Sequence, residues 1–353
     1  MTPEDDGGEM KLQRVLNTYL PSTIRNHRLA LGLLACISIG SVLLIGHSLR
    51  YELTPMSFCQ SEVNLRSDSL NQSGIHVIPS TPQKRHGAVA VGEDDVTDNE
   101  CVEVFTPDKS GRMLICIHDP KRDLMVSAHL KNEGSWEPEN VEAMYQAHQM
   151  FPDLALVDLG CNVGVFTLPA ARMGMEVVAV DAMLKSLKLL QRSLLINGLS
   201  CHVTLIHNAL HRKRQQMRLA VDPSNIGGSS VVDILEFRRD KIPKSQFVDA
   251  ICLDDLVPLV AGRRVFLKID LEGNEAAVLE CAHEFFTRVD VKIVLIEWMY
   301  YRHNDEGSGK VKKFLTSYGM MPTWGVDPDR LIDLHASHSW PDNVFWMKVG
   351  APS

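Results

Sequence analysis

Short apolar runs alternate with longer amphipathic stretches between residues 154 and 317, and this alternation constrains the fold more than any other feature. Buried strands are indicated by the length and the Val, Ile and Leu content of LALVDLG, EVVAVD, RVFLKID and VKIVLIEW. Between them, stretches such as MLKSLKLLQRSLLINGL carry apolar residues at helical spacing. The alternation predicts an α/β domain, a doubly wound and mostly parallel sheet with helices on both faces.

Further elements are predicted around and within this alternation. CVEVF and MLICIHD predict a hairpin, and SWEPENVEAMYQAHQMF predicts a helix with Pro138 in its first turn. MRLAVD and GGSSVV predict an inserted hairpin, and EAAVLECAHEFF predicts one continuous helix. The closing segment NVFWMKV predicts a strand that adds antiparallel at the sheet edge. The domain defined in this way covers residues 99–353.

A glycine-containing turn ends the first strand of the alternation, in the segment VDLGCNVGVF. Ligands bind such sheets at the carboxyl ends of strands, where the strand order reverses. The spacing D-x-G-x-N-x-G, from Asp158 to Gly164, differs from the G-x-G-x-x-G of dinucleotide-binding proteins. A carboxylate two residues before Gly160 also disfavours a pyrophosphate. The turn therefore predicts a ligand with a cationic, amino-acid-like head and no phosphate.

The second strand ends in Asp181, which defines another part of the predicted ligand. A carboxylate at this position can accept hydrogen bonds from both ribose hydroxyls, and its charge repels a 2′-phosphate. The alternative is an aspartate that only caps the next helix. Together with the glycine turn, Asp181 favours a nucleoside with an unphosphorylated tail, and S-adenosylmethionine fits that description.

Several motifs in one order resemble the FkbM-type methyltransferases, a branch of the S-adenosylmethionine-dependent enzymes with the Rossmann-like class I methyltransferase fold. The matching stretches are VDLGCNVGVFT, LKLLQRSLLINGL, VTLIHNAL, NIGGSSV, CLDDL and VFLKIDLEGNEAAVLECA. The last of these is the most distinctive. Two positions depart from the family pattern, since Cys161 replaces the usual Ala and Asp181 stands where Glu is commoner.

The resemblance implies a cofactor-binding set at the ends of the first three strands of the alternation. That set comprises Asp158, Gly160, Asn162, Gly164, Asp181, Asn208 and Ala209. The glycine turn would line the methionine part of S-adenosylmethionine, Asp181 would bind the ribose, and the end of the third strand would lie beside the adenine. Asp158 would orient the turn or the amino group. The reaction implied is methyl transfer, most often to a hydroxyl of a sugar or small molecule.

Methyl transfer to an alcohol benefits from a general base within hydrogen-bond reach of the oxygen. The candidates are Asp270 and Glu272 in KIDLEG and Glu297 in IEW, each at the end of a central strand. Asp270 is predicted to act as the base or to orient the acceptor, with Glu297 as the second candidate. The alternative is that Asp270 only binds loop amides. These carboxylates could ligate Mg²⁺, but the sequence offers no dedicated loop, so no metal is predicted.

The N-terminal region predicts a membrane anchor. Residues 29–49 contain no Asp, Glu, Lys or Arg and are long enough to span a bilayer as a helix. Four basic residues precede this run and two follow it closely, which favours a cytoplasmic N-terminus. The predicted organisation is a tail (1–28), a signal-anchor (29–49), a Ser-, Asn-, Pro- and Gly-rich stem (50–98) and a lumenal catalytic domain. This describes a single-pass type II membrane protein.

This layout is that of Golgi glycan-modifying enzymes, so the predicted reaction is O-methylation of a sugar hydroxyl on a glycan or glycoconjugate. Three alternatives remain: a lipid or small-molecule acceptor, a nucleotide-dependent oxidoreductase, and a catalytically inactive membrane-anchored binding module. The net charge of −8 argues against a nucleic-acid partner. Trp298, Tyr300, Tyr301 and Trp324 could stack on a sugar ring or pack in the core. The oligomeric state is not indicated.

Cysteine usage leaves the disulfide pattern open. Of eight cysteines, seven lie outside the apolar run, so at least one lacks an intramolecular partner there. Cys161 is the candidate, because a ligand-binding turn has little room for a disulfide. Cys59 and Cys101 flank the stem and could be paired. Asn71 lies in an N-glycosylation sequon.

Overall fold

A computed structural model describes residues 74–79, 96–105, 111–234 and 243–349. The predicted tail, the predicted membrane span and most of the predicted stem lie outside these residues, as do Cys59 and Asn71. Within the described part of the chain, no helix is both long enough and apolar enough to cross a membrane.

An eight-stranded sheet forms the centre of the domain, in the order β1-β6-β5-β4-β11-β12-β14-β13. Its strands are β1 (Val77–Ile78), β4 (Leu154–Leu159), β5 (Val177–Asp181), β6 (Val203–His207), β11 (Arg264–Ile269), β12 (Asp290–Glu297), β13 (Met320–Thr323) and β14 (Asn343–Lys348). The five strands β6, β5, β4, β11 and β12 are parallel. The predicted mostly parallel sheet is therefore confirmed.

The strand order reverses between β4 and β11. From β4 the chain moves outward to β5 and β6, and later returns to the opposite side of β4 with β11 and β12. As a result, the loops that follow β4 and β11 leave the sheet side by side at its carboxyl edge. This is the position at which open α/β sheets bind ligands.

Antiparallel strands close both edges of the sheet. β14 pairs antiparallel with β12, and β13 pairs antiparallel with β14, so the predicted antiparallel edge is confirmed. At the other edge β1 pairs antiparallel with β6, with Val77 opposite Ile206. The stem predicted over residues 50–98 thus contributes a strand to the sheet, which a scan for longer apolar runs does not detect.

Helices cover both faces of the sheet. They are α1 (Val126–Glu133), α2 (Pro138–Met150), α3 (Thr167–Arg172), α4 (Leu184–Ile196), α5 (Val257–Val260), α6 (Glu275–Leu279), α7 (His283–Arg288) and α8 (Asp305–Ser317). Alternate residues of β11 enter opposite cores, with Leu267 in one and Phe266 in the other. A strand buried on both faces explains why the central strands are almost wholly apolar.

The single helix predicted over EAAVLECAHEFF is wrong, because two short helices, α6 and α7, occupy this stretch. Cys281 lies between them and is bonded to Cys252. The Asp254 carboxylate then accepts a hydrogen bond from the Phe285 N–H at 2.7 Å, within the first turn of α7. The disulfide and this new N-terminal cap explain the interruption.

Two smaller sheets complete the described structure. The predicted N-terminal hairpin is confirmed as β2 (Cys101–Phe105) and β3 (Arg112–Cys116). The predicted insertion is confirmed as the antiparallel pair β8 (Gln215–Ala220) and β9 (Ser230–Asp233). They belong to a four-stranded sheet in the order β7-β10-β8-β9, whose remaining strands are β7 (Ala209–Leu210) and β10 (Phe247–Ile251).

The disulfides differ from the pairing considered for the stem. Cys101 is bonded to Cys116, its cross-strand neighbour in the β2–β3 hairpin, so a Cys59–Cys101 bond is wrong. Cys252 is bonded to Cys281, and Cys201 is disulfide-bonded as well. Cys161 is a buried free thiol, as predicted.

Three buried tryptophans pack together between the sheet and α8. The ring centroids of Trp298 and Trp340 lie 4.7 Å apart, and those of Trp340 and Trp346 lie 5.7 Å apart. The Trp298 indole N–H donates to the Ser337 carbonyl at 2.7 Å, whereas the Trp346 indole N–H has no partner among the described residues. Both side chains are fully buried, so they differ mainly in this hydrogen bond.

Trp298→Phe is expected to destabilise the fold by about 1–3 kcal/mol more than Trp346→Phe. The first substitution leaves the half-buried Ser337 carbonyl without its donor, while the second removes a donor that is already unpaired. Urea unfolding followed by far-UV circular dichroism measures both free energies of unfolding. Equal losses for the two variants would contradict this assignment of the hydrogen bonds.

Candidate active site

A cleft opens at the carboxyl edge of the sheet, where the strand order reverses. The loops after β4, β5, β11 and β12 form its floor and walls, and the segment between β8 and β9 closes one side. Eight of the predicted site residues line it: Gly160, Asn162, Asp181, Asn208, Ala209, Asp270, Glu272 and Glu297. The other two, Asp158 and Gly164, lie behind this lining.

The two glycines of the turn make close contacts that a side chain would prevent. A Cβ at Gly160 would lie 1.8 Å from the carbonyl oxygen of Asp270, and the φ of Gly160 is +77°. A Cβ at Gly164 would lie 2.3 Å from a Leu190 methyl on α4, with φ at +98°. Gly160 thus joins the β4 and β11 loops, while Gly164 seats the turn on α4 without reaching the cleft.

Asp181 holds the glycine turn in place. One carboxylate oxygen accepts the Asn162 N–H at 2.8 Å, and the other accepts the Met183 N–H at 2.7 Å, just before α4. Asn162 has φ at +48°, a conformation that this hydrogen bond stabilises. Burial raises the pKa of Asp181 to about 6. The carboxylate lies in the cleft, so it both organises the turn and faces any ligand there.

Asn208 and Ala209 lie at the far end of the cleft. The side-chain oxygen of Asn208 accepts the backbone N–H of His76 at 2.8 Å. The side-chain NH₂ group donates to the backbone carbonyls of Gly74 and Asp249. Asn208 therefore ties the β1 edge to β10 and positions the wall of the cleft. Because both polar atoms of this side chain are already hydrogen-bonded within the fold, a ligand would contact the surface of the wall and not the Asn208 amide.

Asp158 is buried beneath the turn and acts on other side chains. It accepts the Thr167 hydroxyl at 2.6 Å, and its other oxygen lies 3.7 Å from the Lys268 ammonium. Asp158 is buried, and its two carboxylate oxygens face the Thr167 hydroxyl and the Lys268 ammonium, so it already has a donor and a counter-charge within the fold. Of the two roles predicted for Asp158, orienting the turn is the one that this geometry allows.

Lys268 links the two central loops, and the sequence analysis did not identify it. Its ammonium lies 3.0 Å from an Asp270 carboxylate oxygen and 3.3 Å from the Gly160 carbonyl. Burial alone would lower the pKa of Lys268, but the carboxylates of Asp270, Asp158 and Glu137 raise it above its usual range. The sequence did contain an indication of this role, because a lysine inside the otherwise apolar strand segment VFLKI must be paired when it is buried.

Three glutamates surround Asp270. Burial, followed by the charges of Asp270, Glu275 and Glu272, raises the pKa of Glu297 to about 10. Burial also raises the pKa of Glu272, which accepts the Tyr300 hydroxyl at 2.5 Å. Neutral Glu297 can donate a hydrogen bond, whereas the Asp270 carboxylate pairs with the Lys268 ammonium at 3.0 Å.

Glu275 anchors this acidic group from beneath. It is fully buried and accepts the Leu271 N–H at 2.8 Å and the Tyr301 hydroxyl at 2.8 Å. Burial raises the pKa of Glu275 to about 7. Because it holds the loop that carries Asp270 and Glu272, Glu275 positions the candidate catalytic carboxylates without lining the cleft.

Two parts of the cleft were missed by sequence reasoning. Glu137 lines it from a left-handed backbone position at φ +47° and accepts the Asn140 and Asn343 amides at 3.0 and 3.3 Å. The segment Asn225–Gly228 also lines the cleft; NIGGSSV was matched to the family and GGSSVV was assigned to a hairpin, but no site role was predicted for either. Nothing in the sequence indicated a site role for Glu137, because a glutamate at the start of a predicted helix is common.

The aromatic residues considered for stacking are in different environments. Trp298 and Tyr301 are buried in the core, and Trp324 is exposed but does not line the cleft. Tyr300 alone among the four is both exposed and at the cleft. Among the described residues, no three His, Cys, Asp or Glu side chains form a group able to hold a metal ion.

Residues 158–322 match the family model described as the methyltransferase FkbM domain. This match begins within β4 and ends within β13, and it confirms the resemblance inferred from the motifs. The family is S-adenosylmethionine-dependent, and S-adenosylmethionine is therefore the cofactor that the match assigns to this domain. No curated protein sequence matches the chain.

Solved structures of methyltransferases show low similarity to the chain. The FkbM methyltransferase of Methylobacillus flagellatus KT is 16% identical, with a TM-score of 0.35 over 55% of this chain and 43% of that protein. The Thermus thermophilus 16S rRNA N2 G1207 methyltransferase is 12% identical, with a TM-score of 0.37 over 70% and 50%. The chain thus spans half or less of these two proteins. The Thermotoga maritima O-methyltransferase is 12% identical, with a TM-score of 0.30 over 75% and 100%.

Gly160→Ala is expected to destabilise the protein more than Gly174→Ala. Both glycines have positive φ, at +77° and +83°, so both variants carry similar backbone strain. Only the Gly160 variant also drives a methyl group into the Asp270 carbonyl, since nothing lies within 4 Å of a Cβ at Gly174. We expect a difference of about 2 kcal/mol or more, measured by urea unfolding. Equal losses would show that the β4 and β11 loops can separate freely.

Glu275 is expected to make stability depend on pH. The unfolded chain releases this proton near pH 4.5 and the folded protein near pH 7, so the folded state binds more protons in this window. The free energy of unfolding of the wild type, relative to Glu275→Gln, should fall as the pH rises from 4.5 to 7 and stay level outside that range. Unfolding titrations at several pH values measure it, with exposed Glu306→Gln as control. A difference that is independent of pH would contradict the assignment.

Proposed function

The chain contains a methyltransferase FkbM domain, and from this premise we propose that it is an O-methyltransferase that acts on a sugar hydroxyl of a glycan or glycoconjugate. The observation that carries the proposal is the position of Asp270. Its carboxylate lines the cleft, is held by the Lys268 ammonium at 3.0 Å, and belongs to the loop that contacts the glycine turn.

The residues of the cleft fit S-adenosylmethionine. Gly160 and Asn162 form a turn whose backbone is open to the cleft, and Asp181 presents a carboxylate beside it. Gly227 and Gly228 provide a second stretch without side chains in the lining, and Gly227 lies next to the Asn162 side chain. The cofactor supplies the electrophilic methyl group. The chain must hold the acceptor oxygen in line with that group and receive its proton.

Asp270 is the group best suited to receive the proton. Its carboxylate lines the cleft and is held by the Lys268 ammonium, whereas burial and the surrounding carboxylates raise the pKa of Glu297 to about 10 and keep it neutral. Neutral Glu297 can donate a hydrogen bond to an acceptor oxygen or to Asp270, so it orients and does not deprotonate. We therefore assign Asp270 as the general base, Glu297 as a hydrogen-bond donor and Glu272 as the partner that fixes Tyr300.

A sugar acceptor is consistent with the outer wall of the cleft. The exposed Tyr300 ring lies there, with its hydroxyl fixed by Glu272 at 2.5 Å. An ordered aromatic ring beside carboxylates offers both an apolar face and hydrogen-bond acceptors, which a pyranose can use together. Met299 and Trp136 add further apolar surface at the same cleft.

An oxidising compartment is supported by the disulfides. Cys101–Cys116 and Cys252–Cys281 are bonded, and such bonds persist mainly in secreted proteins and in the lumen of secretory organelles. With the apolar run at 29–49, this supports a single-pass type II protein whose catalytic domain is lumenal, and we propose the Golgi as its location.

A specific observation favours a second candidate, an acceptor with an apolar group. An apolar cavity of about 470 Å³ lies between the β2–β3 hairpin and helices α1 to α3, and it shares Trp136 and Val165 with the cleft. A lipid or an apolar small molecule could place its chain there and its hydroxyl at Asp270. The two candidate functions are distinguished by whether a sugar or an apolar acceptor receives the methyl group.

The test is transfer of tritiated methyl from S-adenosylmethionine by the full-length chain in detergent. Released glycans, intact glycolipids and free long-chain alcohols are offered separately, and the products are analysed by mass spectrometry. A gain of one methyl on glycans supports the proposal, and label on the alcohols alone would favour the second candidate. Binding of the cofactor without transfer to any class would favour an inactive binding module.

Asp270→Asn is expected to lower kcat for methyl transfer by about 10²- to 10⁴-fold, because Asn keeps the size of the side chain but cannot accept the proton. Affinity for the cofactor should change by less than about threefold. Asp290→Asn, at the start of the neighbouring parallel strand β12 and so at the opposite edge of the sheet from the cleft, is the matched control and should retain full activity. Near-normal turnover by Asp270→Asn would assign that side chain a purely structural role.

A further inference from the structure

Asp123 is a buried carboxylate that neither the proposed mechanism nor the family match uses. It is fully buried and lies outside the matched segment, which begins at residue 158. One of its oxygens accepts the Ser127 N–H at 3.0 Å and the Ser127 hydroxyl at 2.5 Å. The other oxygen, Oδ1, has no partner among the described residues.

No cation compensates this carboxylate in the described part of the chain. No Lys or Arg forms an ion pair with Asp123 there. The nearby His118 is buried, and burial lowers its pKa to about 4, so it is neutral at physiological pH. A buried carboxylate oxygen without a donor or a positive charge is unfavourable unless a ligand supplies one.

The unpartnered oxygen lies directly behind the wall of the cleft formed by Gly227. A Cβ built on Gly227 would lie 3.4 Å from Asp123 Oδ1 and 2.5 Å from the Asn162 amide, and Gly227 itself lines the cleft. Asn162 Oδ1 and Asn225 Oδ1 are also buried without partners. Asp123 and Asn162 therefore border Gly227, and Asn225 borders the neighbouring Gly228, so all three side chains lie against the glycine pair that lines the cleft.

The backbone fixes this arrangement. Asp123 forms an antiparallel bridge with Asn225, through the Leu124 N–H to the Ser224 carbonyl at 3.2 Å and the Ile226 N–H to the Arg122 carbonyl at 3.3 Å. The carboxylate is thus tied to the segment before β9 and, through Asn162, borders the glycine turn. The Ser127 N–H and hydroxyl, both bonded to the other carboxylate oxygen, fix the side chain on this backbone.

The chemistry of the three acceptors selects one part of the cofactor. An alkylammonium has three N–H donors, a positive charge and no acceptor. The ribose hydroxyls also accept and have Asp181 available, the adenine amino group is uncharged, and the sulfonium carries no N–H. On the basis of the proposed function, we propose that Asp123, together with Asn162 and Asn225, binds the α-ammonium of the methionine part of S-adenosylmethionine.

The experiment compares two ligands on the full-length chain in detergent by isothermal titration calorimetry. S-adenosylhomocysteine retains the ammonium, while 5′-methylthioadenosine keeps the nucleoside and the sulfur but lacks the amino acid. Asp123→Asn should weaken S-adenosylhomocysteine by roughly tenfold to a hundredfold and change 5′-methylthioadenosine by less than about twofold. Asp119→Asn, at a nearby exposed position, should bind both ligands like the wild type.

Gly227→Ala tests the same site without changing a charge, and it serves if Asp123→Asn does not fold. Its methyl group would occupy the space between Asp123 Oδ1 and the Asn162 amide, so it should also weaken S-adenosylhomocysteine selectively. Gly309→Ala, where nothing lies within 4 Å of the added Cβ, is its control.

Equal weakening of both ligands by the variants would overturn the proposal and make Asp123 a support of the whole cleft. Unchanged or tighter binding of S-adenosylhomocysteine would overturn it as well, since an ammonium would lose its counter-charge. A wild-type chain that binds neither ligand would instead refute the cofactor, and with it the proposed function.

Discussion

The contact between Gly160 and the carbonyl oxygen of Asp270 is the constraint on which the site depends. It brings together the loops after β4 and β11, the two strands at which the strand order reverses. Any side chain at residue 160 would separate these loops. Lys268 strengthens the contact, because its ammonium reaches both the Gly160 carbonyl and the Asp270 carboxylate. The cofactor turn and the candidate base are therefore held as one unit.

Charge is distributed unevenly around this unit, and the distribution assigns different roles to similar residues. One buried lysine faces several carboxylates, and it lies closest to Asp270. Glu297 and Glu275, farther from the ammonium and well buried, have raised pKa values. The result is one carboxylate, Asp270, in an ion pair with the lysine, among glutamates whose pKa values are raised by burial. Similar acidic residues thus have different roles: Asp270 can accept a proton, and the surrounding glutamates hold it in position.

The fold was largely predictable because apolar strands and amphipathic helices alternate with few exceptions. The candidate site was predictable where a residue ends a strand, as with Asp181, Asp270 and Glu297. It was not predictable where long-range pairing decides the position. Asp123 and the Asn225 segment meet only through a bridge between distant loops, and β1 has just two residues. The division of one predicted helix into α6 and α7 depends on a disulfide that spacing alone does not reveal.

The most direct test of the account is calorimetric titration of the full-length chain with S-adenosylmethionine and, separately, with NAD, in wild type and Asp181→Ala. The account predicts binding of S-adenosylmethionine alone, weakened by the substitution, because Asp181 both faces the cleft and holds the glycine turn through Asn162. Tight binding of NAD, or S-adenosylmethionine binding that is unaffected by Asp181→Ala, would contradict the placement of the cofactor in this cleft.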